Sequence, residues 1–313
     1  MMIGMSKNLF IGVTTWNSEL FLETCLRAIR KATGGISFEL GVVDNLSKDR
    51  SVEIAQDYGA TVRLEYCSQA IALNRLLSMS KARYTLLMHS DVILLSSDWL
   101  SACLNQMSAN CALVSPEDIG CGPLTRPYGA GKPESCFMFF DTAKARDCYT
   151  WKWIRRKGIP WPTRHFDFDD YYVTHDIPDT LKRRGYSWKP MKVHASPPES
   201  EPVYQPTFTP EYWSDALAKL RYAMGNFYSI DGVITHYHNW FDRVPKNIPL
   251  DSKETTEGGG KGLPSAFLSL GTRNFLNDYD AGSIVLPNPN EPSPIPKSTQ
   301  RNVPNLDVPY AHA

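Results

Sequence analysis

The sequence predicts an α/β protein: a mixed, mostly parallel sheet flanked by helices, with an extended Pro/Gly-rich C-terminal tail. Three observations predict it. Short β-rich runs alternate with helical periodicity from residue 8 to residue 88, the pattern of βαβ units. Three of those runs end on polar side chains rather than on a glycine turn. From about Lys246 the composition shifts to Gly and Pro and cannot form a compact core alone.

Taken in order, residues 8–15 (NLFIGVTT) read as a first strand, broken by Trp16-Asn17-Ser18. Glu19 to Ala32 places Leu20, Phe21, Leu22, Cys25, Leu26 and Ile29 near helical spacing, with Ser18 as the expected N-cap and Thr33-Gly34-Gly35 as the stop. Phe38 to Val43 is a second strand, ending on Asp44-Asn45. A helix over Asp49–Tyr58, a strand over Thr61–Tyr66 and a helix over Gln69–Ser80 follow. Tyr84 to Met88 is a fourth, largely apolar strand that runs into His89-Ser90-Asp91. Beyond it lie a helix over Asp98–Met107, a short strand over Ala112–Ser115, a loop over Cys121–Pro133 and an apolar strand over Ser135–Phe140. Glu211 to Phe227 reads as a helix, and Ile230 to Thr235 as a strand ending in His236-Tyr237-His238. In the tail only Ala266 to Phe275 reads as a short helix. These shifts divide the chain into 1–110, 111–245 and 246–313.

Composition excludes several classes. Apolar residues make up 42% of the 313, enough for a sizeable core, and Lys+Arg and Asp+Glu are 33 each, so no global charge calls for nucleic acid. The seven cysteines lack paired spacing; Cys111, Cys121, Cys136 and Cys148 are too far apart for a zinc-ribbon knuckle. Such a set, with no signal peptide, fits a reducing cytosol. No run reaches the ~20 apolar residues of a transmembrane span, so the expectation is a cytoplasmic protein or one peripheral to a membrane. No GxGxxG follows the first strand and no GxxxxGK[ST] occurs, which argues against a dinucleotide fold or a P-loop.

Chemistry concentrates at the strand ends. In a parallel sheet the carboxyl ends of Thr14-Thr15, Asp44-Asn45 and His89-Ser90-Asp91 share one edge, where open α/β sheets bind ligands. A carboxylate on the second strand is placed to bind a base or ribose. Asp91, reached after a helix carrying Asn74, is placed for a metal-bound diphosphate. The plainer reading, in which Asp91 caps the following turn, stands beside it.

Over its first ~100 residues the chain resembles the inverting family 2 glycosyltransferases of the GT-A fold. IGVTTWN, VVDNLSKDRS and ALNRLLSMSKARYTLLMHSDV carry the resemblance. It implies a hexosyltransferase-type enzyme that moves a sugar from a UDP-, GDP- or dTDP-linked donor to an acceptor hydroxyl, with Mn²⁺ or Mg²⁺. Asp44 would contact the base, with Thr14, Thr15, Asn45, Asn74, His89 and Ser90 around the donor. The DxD motif of the family here reads His89-Ser90-Asp91, so Asp91 is the expected metal ligand and His89 the departure. The base of the family maps to Asp176 in Thr174-His175-Asp176-Ile177-Pro178-Asp179, with Asp179 second and Asp167, Asp169 and Asp170 as rivals. Those acids also have a plain reading, as surface partners of nearby Lys and Arg. A late histidine often completes a GT-A metal site. His236 ranks first because it ends an apolar strand; His194 and His238 are the others.

Residues 144–192 hold twelve Lys and Arg against six Asp, with aromatics interleaved. WKWIRRK (151–157) reads as a stacking platform, a patch for anionic lipid, or a solvated helix face over buried tryptophans. The acceptor is left open among an anionic glycan, a lipid-linked glycan and modified nucleic acid, and the tail offers a route to oligomers. A nucleotidyltransferase and a non-catalytic binding module are the alternatives; the former lacks the basic glycine-rich loop it would need after the first strand.

Overall fold

Alternating side chains build the first sheet around β1 (Leu9–Thr15). The computed structural model describes residues 8–118, 132–148, 174, 177–198, 220–222, 225–239, 248–249, 251–254 and 265–290. Leu9, Ile11 and Val13 point to one face and pack with Phe21, Leu22, Cys25, Leu26 and Ile29 of α1 (Glu19–Ala32). Phe10 points to the other face and packs with Leu73, Leu76 and Leu77 of α3 (Gln69–Met79). This period-two division puts helices on both faces. α2 (Ser51–Asp57) lies between β2 (Phe38–Asp44) and β3 (Thr61–Leu64). Gly41 is required where Phe10 crosses β2: a Cβ there would lie 2.6 Å from the Phe10 ring.

β4 (Tyr84–His89), β1, β2 and β3 run parallel. Antiparallel to β4 and to β6 (Cys111–Asp118) runs β8 (Phe137–Asp141), and β7 (Lys132–Pro133) pairs with the end of β6. The order is β3-β2-β1-β4-β8-β6. β6 then pairs in parallel with β9 (Ser187–Ala195), and β10 (Asn226–Ile230), β11 (Val233–His238) and β5 (Val92–Leu94) continue antiparallel. β4 therefore leaves one part of the sheet and, across Ser90-Asp91, enters the other as β5. α4 (Trp99–Gln106), α5 (Thr142–Cys148) and α6 (Ile177–Arg183) follow the strands, and Ile177 and Leu181 bury against the α3 face.

The alternation read through residue 88 holds, with element ends moved by a residue or two, and β5 (Val92–Leu94) is a strand that it did not include. Three local readings change. Ser18 stands at the N-cap of α1 but makes no side-chain cap; its hydroxyl donates to the Trp16 carbonyl and accepts from Ser90. Asn226 and Phe227 belong to a strand, not a helix, and the strand read over Ile230–Thr235 is divided in two, because Asp231 and Gly232, both at positive φ (51° and 76°), turn a two-residue hairpin there. The helix of the tail is longer than Ala266–Phe275: α7 runs Ser265–Ala281 and buries Phe275 and Leu276 in the core with Tyr222 and Tyr237. Asp176, Asp167, Asp169, Asp170, His175, residues 151–157, most of the 211–227 stretch and residues 291–313 lie outside the described residues.

Candidate functional site

The strand register assembles the edge that the sequence implied. Thr15 pairs with Asp44, and Thr14 with His89, so the ends of β2, β1 and β4 lie side by side. The Ser90 amide donates to the Thr14 carbonyl at 3.2 Å, and the Asn45 amide to the Thr15 carbonyl at 2.9 Å.

Asp44 is fully buried and locally satisfied. Its Oδ1 accepts from the Ser47 amide at 2.7 Å and its Oδ2 from the Ser47 hydroxyl at 2.5 Å. Leu46, at φ 55°, turns the chain to allow it. Asn45 Oδ1 accepts from the Cys67 amide, and Asn17 Oδ1 from the Lys48 amide. The loops after β1 and β2 are thus laced together. Thr15 Oγ1 is buried beside them and has no hydrogen-bond partner among the described residues. Asn74 lies partway down α3; it is Gln69, at the start of that helix, that reaches the His89 ring.

Asp91 has a different environment. It is 8% exposed, and among the described residues its buried Oδ1 has no hydrogen-bond partner. The antiparallel register of β5 and β11 places His238 opposite Val92, and the Asn239 amide donates to the Asp91 carbonyl at 3.0 Å. That register brings His238 Nε2 to 3.5 Å from Asp91 Oδ1. The His89 ring meets the His238 ring edge-on at 5.8 Å between centroids. His89, Asp91 and His238 each offer a donor atom, all within 4.8 Å of one another. Burial opposes charge on Asp91, but His238 and then His89 outweigh it and hold the carboxyl below its usual range. For His238, burial is outweighed by Cys136 and Asp91, which raise it well above the ordinary imidazole value. A buried carboxylate oxygen with no hydrogen bond, faced by two imidazoles, fits a divalent cation.

The other late histidines sit elsewhere. His236 is fully buried between the rings of Phe137 and Tyr228, at 4.3 and 4.7 Å, with Nδ1 against the Thr235 hydroxyl; burial, then the charge of His238, keeps it neutral. On β9, His194 Nε2 meets the Ser229 hydroxyl at 2.7 Å. Asp179 is exposed on α6. Sequence reading missed Gln69, Ser135, Glu134 and Cys136 as neighbours of the site. Gln69 and Ser135 both reach His89 Nε2, Glu134 Oε1 lies 3.5 Å from His238 Nδ1, and Cys136 completes a donor group with Glu134 and His238. Gln69 comes in with α3; Glu134, Ser135 and Cys136 come in through the antiparallel pairing of β8 with β4, which no local motif announces.

Residues 10–159, a little under half of the chain, match the sequence profile of Glycosyl transferase family 2. The chain resembles the family 2 glycosyltransferases. Its sheet is mixed, parallel across β3-β2-β1-β4 and flanked by helices, as the resemblance implied. Among solved structures, glucosyl-3-phosphoglycerate synthase from Mycobacterium tuberculosis, in complex with Mn²⁺, UDP and glucosyl-3-phosphoglycerate, is similar at 17% identity, covering 58% of this chain and 69% of that one, with a TM-score of 0.44. A mannosyltransferase from Pyrobaculum calidifontis, in complex with GDP-Man and Mn²⁺, is similar at 15% identity, covering 59% of this chain and 55% of that one, with a TM-score of 0.42. The chain therefore spans little more than half of that mannosyltransferase. No curated protein matches. Among the described residues no helix is long and apolar enough to cross a membrane.

Proposed function

We propose that this protein transfers a hexosyl group from a nucleotide-sugar donor to an acceptor hydroxyl, using Mn²⁺ or Mg²⁺ and inverting the anomeric carbon. The observation that carries the reading is the buried, unbonded Oδ1 of Asp91 facing His238 at the carboxyl edge of the sheet. Asp91 and His238 hold the metal, with His89 as third donor. His238 takes the part expected of His236 or His194, because stacked rings close off His236 and Ser229 engages His194.

When bound, the ion neutralises charge developing on the leaving diphosphate. The chain does the rest. Gln69 and Ser135 orient the His89 ring, and Thr14, Thr15, Asn45 and Ser90 line the edge where the nucleoside lies. Asp44 acts mainly by shaping the loop it caps, and Asn74 stays a donor-side candidate. Asp176, with Asp179 second, removes the acceptor proton as the hydroxyl attacks from the opposite face. The donor is UDP-, GDP- or dTDP-linked; the acceptor is a hydroxyl on an anionic glycan, a lipid-linked glycan or modified nucleic acid.

A second reading, a binding module without catalysis, is favoured by one fact: both oxygens of Asp44 are already engaged with Ser47. Metal-dependent hydrolysis of nucleotide sugars without acceptor separates the two. Turnover lost in Asp91→Asn, in a protein that still folds, supports transfer. Nucleotide binding with no turnover on any donor supports the module.

A further inference from the structure

His238 has two occupied sides. Its Nε2 lies 3.5 Å from Asp91 Oδ1, and its Nδ1 lies 3.5 Å from Glu134 Oε1. On the Glu134 side a thiol joins: Glu134, Cys136 and His238 offer donor atoms all within 4.8 Å of one another. The transfer chemistry uses neither Glu134 nor Cys136.

We propose that Glu134, Cys136 and His238 form a second metal-binding set, suited to a thiophilic divalent ion of the Zn²⁺ class, and that filling it withdraws His238 from the diphosphate centre. The withdrawal rests on the transfer reading; the site does not. Ligand bonds of a tetrahedral zinc ion set its nitrogen and sulfur donors about 3.5 Å apart, so a small inward shift closes the group. One thiolate, one imidazole and one carboxylate suit zinc, whereas Mg²⁺ takes oxygen donors.

The donors are held in place. The Tyr228 hydroxyl donates to Glu134 Oε2 at 3.0 Å, the Glu134 amide to the Pro116 carbonyl at 2.8 Å, and the Ser115 hydroxyl to the Glu134 carbonyl at 2.9 Å. The Cys136 carbonyl accepts from the His89 amide at 3.1 Å. Cys136 is fully buried, and the Glu134 side chain keeps 11% of its surface open, which gives an ion a way in. On the far side Asp91 stands where a carboxylate orients a metal-bound histidine. The two sets exclude each other for a simple reason. A neutral imidazole has one lone pair, so an ion on Nδ1 leaves the proton on Nε2, pointing at Asp91. Binding sends the Cys136 thiol proton and the Nδ1 proton of the imidazolium to solvent, keeps the proton on Nε2, and involves no redox change.

Cobalt is the probe. Chelator-stripped full chain is titrated with Co²⁺ and followed by absorption. The expected result is a near-ultraviolet thiolate-to-cobalt band that is kept in Asp91→Asn and lost in Cys136→Ser. Zn²⁺ should also weaken Mn²⁺-dependent UDP binding by about tenfold or more in the native chain, and not in Cys136→Ser. Co²⁺ binding without the band, or a band that survives Cys136→Ser, overturns the proposal. Should Cys136→Ser not fold, Glu134→Gln replaces it: unchanged Co²⁺ affinity overturns the site, and a loss of about tenfold or more supports it. If no nucleotide binds under any condition, the transfer reading fails while the cobalt result still decides the site.

Discussion

The tail helix should govern both stability and metal affinity, and Asp278 is the place to test this. Asp278 on α7 receives Arg221 Nε on Oδ2 at 2.7 Å, Arg221 Nη2 on Oδ1 at 3.0 Å and the Tyr222 hydroxyl on Oδ2 at 2.7 Å. The Asp278 side chain is 14% exposed and that of Arg221 29%, between the surface and buried regimes. A surface pair contributes under ~1 kcal/mol, whereas breaking a buried one costs ~3–5 kcal/mol. Asp278→Ala should therefore cost about 2–3 kcal/mol, and Asp278→Asn, which keeps the shape, about 1–1.5 kcal/mol. The pH dependence has a definite sign. Burial opposes the charge, but Arg221 and Tyr222 hold the Asp278 carboxyl below its usual value. A depressed folded pKa gives stability that is present above the unfolded value of ~3.9 and lost as pH falls through the folded one. Denaturant melts of native chain and Asp278→Asn should diverge at pH 7 and converge below pH ~4. A difference under ~0.5 kcal/mol at pH 7, or one independent of pH, would refute the argument. Phe275 of the same helix stacks on Tyr237 at 3.7 Å, the residue before His238, so Mn²⁺ affinity should fall along with stability.

Gly225→Ala should destabilise by ~3 kcal/mol in the same melts, because the new methyl would overlap the buried, stacked Tyr237 ring. Asp91→Asn should remove Mn²⁺ binding measured by calorimetry, since the metal loses its charged donor, and should also lower the melting transition, since the buried His238 loses the carboxylate it faces at 3.5 Å. His236→Gln should leave Mn²⁺ affinity within about threefold and lower stability instead, as its ring fills the space between Phe137 and Tyr228; a metal loss as large as that of His238→Gln would move the site. Gly232→Val should cost about 1–2 kcal/mol, because valine cannot hold φ 76° at the β10–β11 turn.

The first four strands and their shared edge were legible because each βαβ unit carries its own period and stop. Thr14, Thr15, Asp44 and the His89–Asp91 turn needed only that alternation to be brought together. The choice among histidines needed more. His236 and His238 share one face of one strand, so nothing local separates them. The separation comes from the pairing of β11 with β5, far earlier in the chain, which gives His238 to Asp91 and His236 to the Phe137 ring. The hairpin before them did carry a signal: Asp231-Gly232 between apolar runs is a turn dipeptide, and it outranks the helical spacing that ran up to Phe227. Glu134 and Cys136 had no such signal, since only an antiparallel strand arriving after the 119–131 stretch sets them beside the site.

Asp44 and Asp91 are the same residue at the ends of neighbouring strands, yet one is spent on the fold and the other is open to a ligand. The difference lies in the path of the chain immediately after each acid. After Asp44 the chain turns through Leu46 in the left-handed region and returns the Ser47 amide and hydroxyl to the carboxylate, so the acid is satisfied three residues on. After Asp91 there is no loop: Val92 enters β5 at once, and Val92, Ile93 and Leu94 are paired with β11. Among the described residues the chain just after Asp91 returns no donor to Oδ1, which faces His238 Nε2 at 3.5 Å without a hydrogen bond, and a buried carboxylate oxygen left without one costs ~1–3 kcal/mol. A cation would relieve that cost as it binds. Inserting a Ser-bearing turn after Asp91 should therefore raise the stability of the metal-free protein and abolish Mn²⁺ binding together, an inverse relation that a purely structural Asp91 would not give.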